Sequence, residues 1–148
     1  MKITNTIKVM KQINPEVIIL FKIGEFYYEY GKDSYIISYL FSYKLKKLEN
    51  NIPFSAFPKS ALYKVLTKLE KEGISYIIVD KSLNYEVIEK ELSKVNKYIE
   101  TYNKAHKYIL NKNKIDNIYA YLIKNVYKQD IKNKIKKIEE ILYEKWKI

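Results

Sequence analysis

Histidine occurs once in this chain, at position 106, and cysteine does not occur. The lack of thiols excludes disulfides, thiolate zinc sites and cysteine nucleophiles, and one imidazole cannot assemble a histidine-based metal site. No G-x-x-x-x-G-K-[ST] phosphate loop and no G-x-S-x-G nucleophile elbow is present. Carboxylate pairs such as Glu139–Glu140 sit among lysines in helical sequence and read as a solvated face. No catalytic residue, metal ligand or cofactor is therefore expected, and the chain reads as a non-enzymatic protein. The residue types left to do chemistry are aromatics and lysines: 16 tyrosines, and 28 basic residues that are all lysine.

Exposed aromatic rings interleaved with lysines suit nucleic acid, because rings stack on bases while ammonium groups pair with phosphates. Tyr27, Tyr28, Tyr30 and Lys32 form such a cluster, with Lys22 just before it. The net charge of +11 points the same way, towards an anionic partner. The charge has a second reading: lysine, asparagine, isoleucine and tyrosine share AT-rich codons, and codon bias alone yields a basic chain.

The elements that must position this cluster are punctuated unevenly. All three glycines and all three prolines lie in the first 73 residues. The first half alternates α and β. Thr4–Ile13 has a helical apolar face (Ile7, Met10, Ile13) and stops before Pro15. Val17–Tyr30 reads as one strand, bent at Gly24. A helix starts at Asp33 or Ser34 as N-cap and runs to Leu40; Lys44–Lys47 and Ile52–Phe57 are extended. Ser60 caps a further helix that Gly73 ends, and Ser75–Val79 is a buried strand. Strand, helix and strand in this order imply a mixed sheet with flanking helices, an α/β fold.

At this point two motifs resemble a known family. The apolar run Val17–Leu20 leads into Phe21-Lys22-Ile23-Gly24-Glu25-Phe26-Tyr27, similar to the F-R-x-G-D-F-Y-E segment of MutS DNA repair proteins. Ile52-Pro53-Phe54-Ser55-Ala56-Phe57-Pro58-Lys59-Ser60-Ala61 is similar to their I-P-x-x-G-x-P-Y-H-A. Leu66-Thr67-Lys68-Leu69, Gly73 and Ile77-Ile78-Val79-Asp80 then follow in the family's order. The resemblance covers about residues 4–81 and identifies the N-terminal mismatch-recognition domain (domain I), here as a free-standing MutS-like protein. It implies DNA binding and a place in DNA repair, with Phe26 as the aromatic wedge that stacks on a mispaired base at a kinked step. The chain departs from the pattern where Tyr28 replaces the carboxylate that hydrogen-bonds that base. Glu29, one residue on, faces the opposite side of a strand. The expected nucleic-acid contacts are Phe26, Tyr28, Lys22, Lys32 and Lys59, with DNA the expected ligand and RNA an open alternative.

Beyond residue 81 the chain has no helix breaker, and residues 82–148 read as a basic, Tyr/Lys-rich helical hairpin or bundle. Ile88, Leu92, Val95, Ile99, Tyr102, His106 and Ile109 follow alternating spacings of 4 and 3, a heptad stripe on which His106 is a core or seam residue. The stripe is a candidate homo-oligomer seam. Asn111–Asn113 looks like a break, followed by helical sequence from Ile115 and again from Ile131, with Asp130 as a possible cap. The resemblance also allows an accessory or adapter role, in which the helical region docks on a repair protein or on the reverse transcriptase of a diversity-generating retroelement. Lys8 and Lys11 interrupt any secretory signal, and no run nears the roughly 18 apolar residues of a membrane span. A cytoplasmic protein is expected.

Overall fold

The computed structural model describes residues 3–143. The chain forms two compact units, the first running through Ile109 and the second starting at Leu110. In the first unit, helix α1 (Ile3–Ile13) precedes strands β1 (Ile18–Ile23) and β2 (Phe26–Tyr30), helix α2 (Lys32–Phe41) and strands β3 (Lys46–Lys47) and β4 (Pro53–Pro58). A single 3-10 turn, Lys59–Ala61, leads into helix α3 (Leu62–Lys71). Strands β5 (Tyr76–Asp80) and β6 (Glu86–Glu91) follow, then helix α4 (Tyr98–Lys124), which continues into the second unit, where helix α5 (Ile131–Leu142) closes the described chain.

Six strands make one mixed sheet in the order β3-β4-β2-β1-β5-β6. Only β1 and β5 are parallel, with Ile19 opposite Ile77 and Phe21 opposite Val79; every other pair is antiparallel. Strand side chains alternate between faces, and each face buries its own core. Ile18, Leu20, Tyr27, Phe57, Tyr76 and Ile78 pack against α2, α3 and the start of α4, through Ile36, Ile37, Val65, Leu69, Tyr98 and Ala105. On the other face Ile19, Phe21, Tyr30, Ile77 and Val79 pack against Ile7 and Met10 of α1. The mixed sheet with flanking helices, followed by a helical region, is the architecture expected from the sequence.

Several local expectations are corrected. Val17–Tyr30 is a hairpin rather than one bent strand. Ile23 pairs with Phe26, leaving a two-residue loop whose first member, Gly24, has φ +63°. A side chain strains at that angle, and hairpin loops of this length favour glycine first. Helix α2 is capped by Gly31, with no side-chain cap. Asp33 turns inward instead, and Ser34 donates to the Gly31 carbonyl at 2.6 Å. Ser60 lies in the 3-10 turn, and α3 starts without a side-chain cap. Gly73 does end that helix, at φ +70°, as its sequence position implies.

The largest correction is to the heptad stripe. Ile88 lies on β6, Leu92 and Val95 lie in the connection to α4, and only Ile99, Tyr102, His106 and Ile109 are helical. Residues after Asn84 are therefore not uniformly helix, and the 88–109 seam does not exist as one surface. The reason is long-range: β5 would otherwise be an edge with unpaired amides and carbonyls. The chain turns at Asn84 and Tyr85, both at positive φ, and lays Glu86–Glu91 along β5 with a bulge at Ile78/Val79. Its punctuation divides the sequence near residue 81, whereas the sheet gathers β6 and the start of α4 into the first unit. Asn111–Asn113 is no break either: α4 runs through it. An asparagine costs a helix less than about 1 kcal/mol relative to alanine, which neighbouring good helix formers offset.

In the second unit α4 ends at Lys124 and α5 starts after Asp130, whose side chain makes no capping hydrogen bond. Asn125 and Ile131 are its buried residues among those described. The last residues of the expected helical region, 144–148, lie outside the described residues. No helix among the described residues is long and apolar enough to cross a membrane.

Candidate nucleic-acid interface

Strand β2 positions the aromatic cluster. Its period of two places Phe26, Tyr28 and Tyr30 on the face that α1 only partly covers. The facing residues of β4 are Pro58, Ala56 and Phe54. Tyr28 lies 6.2 Å from Phe54 and 6.4 Å from Tyr30, ring centre to ring centre, the latter pair stacked within 11° of parallel. Burial rises along the strand: Phe26 is 44% exposed, Tyr28 half-buried and Tyr30 buried. The result is a ring cluster of Tyr28, Tyr30 and Phe54 rooted in the core at Tyr30, with Phe26 exposed further along the same face. Phe26 is the first residue after the Gly24–Glu25 loop, so its ring stands at the hairpin tip.

Glu29, the carboxylate that follows Tyr28 on β2, does not join this ring surface. Glu29 points to the other side of the sheet and is fully buried. Ser55 Oγ donates to its Oε1 at 2.8 Å, and its Oε2 has no partner. Burial pushes its carboxyl well above the usual carboxylate range; Ser55 pulls it down less, and nearby Asp33 pushes it further up. The alternation expected from the sequence thus holds, and Tyr28 is the next residue after Phe26 on that face.

The expected lysines are not gathered in one place. Lys59 stands at the hairpin tip, one residue beyond Pro58, the cross-strand partner of Phe26. Its amide donates to the Glu25 carbonyl at 3.0 Å, and its ammonium lies 2.8 Å from the Glu25 carboxylate. That contact holds Glu25 below the usual carboxylate range and raises Lys59. Lys22 lies opposite Tyr27 on the other face of the sheet, 3.9 Å from Asp80. Asp80 is held below the usual range first by the Ser82 hydroxyl, which donates to it at 2.6 Å. Lys32 begins α2, at the far end of β2 from Phe26, with its ammonium 5.1 Å from the Tyr102 ring centre. Structure therefore brings together Phe26, Tyr28 and Lys59, and places Lys22 and Lys32 elsewhere.

Two residues that the sequence reading passed over complete the surface. Phe54 supplies a ring beside Tyr28, and Lys46 on β3 pairs directly with Phe54, so both lie on that face. Alternation along Pro53–Pro58 was the available signal for Phe54. Its neighbour Tyr28 comes from the β2–β4 register, which no local pattern encodes. His106 is corrected as well: it is exposed on α4, its ring stacked 6.3 Å from Tyr35 and tilted at 5.8 Å from Tyr102, rather than a core or seam residue. Among the described residues no group of three or more histidine, cysteine or acidic side chains could hold a metal ion.

The family model described as MutS domain I matches residues 3–101, from α1 through the sheet to the first turn of α4. No curated protein matches the chain.

Proposed function

Since the chain belongs to the MutS domain I family, a non-catalytic DNA-binding domain of mismatch recognition, we propose that it contacts distorted or mispaired DNA through Phe26 as an aromatic wedge. The observation that carries this reading is the exposed Phe26 ring at the hairpin tip, on the same strand face as Tyr28, with Glu29 buried on the opposite face. A ring entering the minor groove must unstack a base step. That cost is lowest where pairing is already broken, so the wedge selects for damage by deformability rather than by base identity. Tyr28 extends the stacking platform, and Lys59 and Lys46 supply phosphate contacts on either side of it.

With Tyr28 in place of a carboxylate on the Phe26 face of β2, and Glu25 engaged by Lys59, discrimination rests on how easily the duplex opens. The protein binds bulges and unstable mispairs in preference to matched duplex, with little preference between mispairs of equal stability. The test is a titration of wild type and Phe26→Ala against matched and bulged duplexes of one sequence. Stacking on a base contributes roughly 1–3 kcal/mol, so the variant loses about 5- to 150-fold on the bulge and less on the matched duplex. Equal losses on both ligands, with the fold intact, would reduce Phe26 to a structural residue.

A further inference from the structure

The second compact unit, α4 beyond Ile109 together with α5, has almost no interior. Among its described residues only Asn125 and Ile131 are buried, while Ile115 is 64%, Ile118 55%, Ile141 75% and Leu142 64% exposed. Helix α5 is amphipathic: Ile131, Ile135, Ile138 and Leu142 recur at helical spacing on one side. Between the two helices lies an open groove of about 430 Å³, walled by Ile118, Tyr121, Leu122 and Ile138, with Lys134 and Lys137 at its rim. Two helices of this length do not bury enough apolar surface to hold each other in water. Contiguous exposed apolar surface on such an element marks an interface.

We propose that this hairpin is a dimerisation element, filled by the hairpin of a second copy of the chain with the two α5 helices antiparallel. Charge selects this occupant. Helix α5 is basic from its start through Lys137, with Lys132, Lys134, Lys136 and Lys137, and acidic towards its end, with Glu139 and Glu140. Two-fold antiparallel pairing sets each basic stretch against the acidic end of the other copy. Parallel pairing sets like against like. A uniformly acidic partner would satisfy the lysines and leave Glu139 and Glu140 facing their own sign. The groove and the charge order thus fit the same solution, a bundle of four helices made from two identical hairpins. Such a dimer carries two sheet units, and two linked contacts on one DNA raise avidity without any new contact.

The test is sedimentation equilibrium of the full chain at micromolar concentration, where a mass of two chains is expected. Ile118→Glu combined with Ile138→Glu gives a monomer, with circular dichroism reporting whether the hairpin still folds. Charge reversal does not depend on that outcome. Lys132→Glu with Lys136→Glu, and separately Glu139→Lys with Glu140→Lys, each weaken self-association by about tenfold through like-charge contacts. Mixing the two reversed chains restores a heterodimer. A wild-type chain that stays monomeric overturns the proposal, as does a dimer indifferent to both reversals or a mixture that fails to rescue.

Discussion

The hydroxyl of Tyr98, at the start of α4, donates to Asp33 Oδ1 at 2.6 Å, joining residues 65 positions apart in the chain. The same carboxylate accepts from the Lys11 ammonium at 2.8 Å and from the Ile19 amide at 3.0 Å. One buried acid thus ties α1, β1, α2 and α4 together at the end of the sheet remote from Phe26. Burial pushes Asp33 above the usual carboxylate range, and Lys11 and Tyr98 counter this only in part; Tyr98 is itself raised by burial and by Asp33. The cluster holds the helices that stiffen the platform behind the candidate interface.

Removing one partner should cost more than the hydrogen bond alone. Tyr98→Phe keeps the ring packing and deprives Asp33 of one donor, a loss of roughly 1.5–3 kcal/mol for a bond to a charged group. Asp33→Ala strands Lys11 and the Ile19 amide, a loss of about 3–5 kcal/mol. Urea unfolding of both variants checks the order. Equal stability of Tyr98→Phe and wild type would mean that the hydroxyl contributes nothing to holding α4.

Glu29 should make stability depend on pH in a direction opposite to that of a paired surface acid. Its folded carboxyl is raised well above the ordinary 4.5, so between these values the folded state holds a proton that the unfolded state has lost. Stability is greatest below the ordinary value and falls as pH climbs through the range up to the raised one. Glu29→Gln removes this dependence, so the variant should gain on wild type steadily as pH rises from acid to neutral. Thermal melts across that range check it; parallel curves would mean that Glu29 is not proton-linked to folding.

Restoring a carboxylate beside the wedge should change the kind of selectivity. Tyr28→Glu places an acid two residues after Phe26, on the same face, at the cost of ring contacts with Phe54 and Tyr30 worth about 0.5–1.5 kcal/mol each. Overall affinity for bulged DNA should drop, while preference among single mispairs of equal stability should appear. Competition binding with a panel of mispairs reads both quantities. A uniform loss across the panel would separate this position from base contact.

If Lys59 contacts phosphate as proposed, Glu25 competes for it. Their contact is exposed on both sides and exchanges readily for another anion. Glu25→Gln should therefore strengthen binding to all duplexes, most at low salt. Lys59→Gln should weaken all of them and lower the slope of log affinity against log salt by about 0.9. Lys32→Gln, at the far end of β2, should leave the slope on a short bulged duplex unchanged. A slope insensitive to Lys59 would place the phosphate track elsewhere.

Much of this was legible in the sequence because it is local. Gly73 marks a helix end that needs positive φ, and the apolar runs at Ile18–Phe21 and Tyr76–Val79 read as buried strands. Alternation alone sends Glu29 away from Phe26 and Tyr28. The two MutS-like motifs carry the order of those elements and the position of Phe26.

What tertiary structure decided is everything that depends on which segments meet. The Ile88–Ile109 period is helical by spacing, yet Ile88 is a strand residue, because pairing the open edge of β5 outweighs a weak local preference. Asp33 has the type and position of an N-cap, yet it turns inward, because Lys11, Ile19 and Tyr98 converge on it from distant parts of the chain. Phe54 joins Tyr28, and Lys22 leaves the ring surface, only through the β1–β2–β4 register. Local propensities differ by less than about 1 kcal/mol per residue. Leaving backbone groups or a charge buried without partners costs several times that. The sequence therefore determined most of the elements and the family motifs, and long-range pairing added β6 and chose what surrounds them.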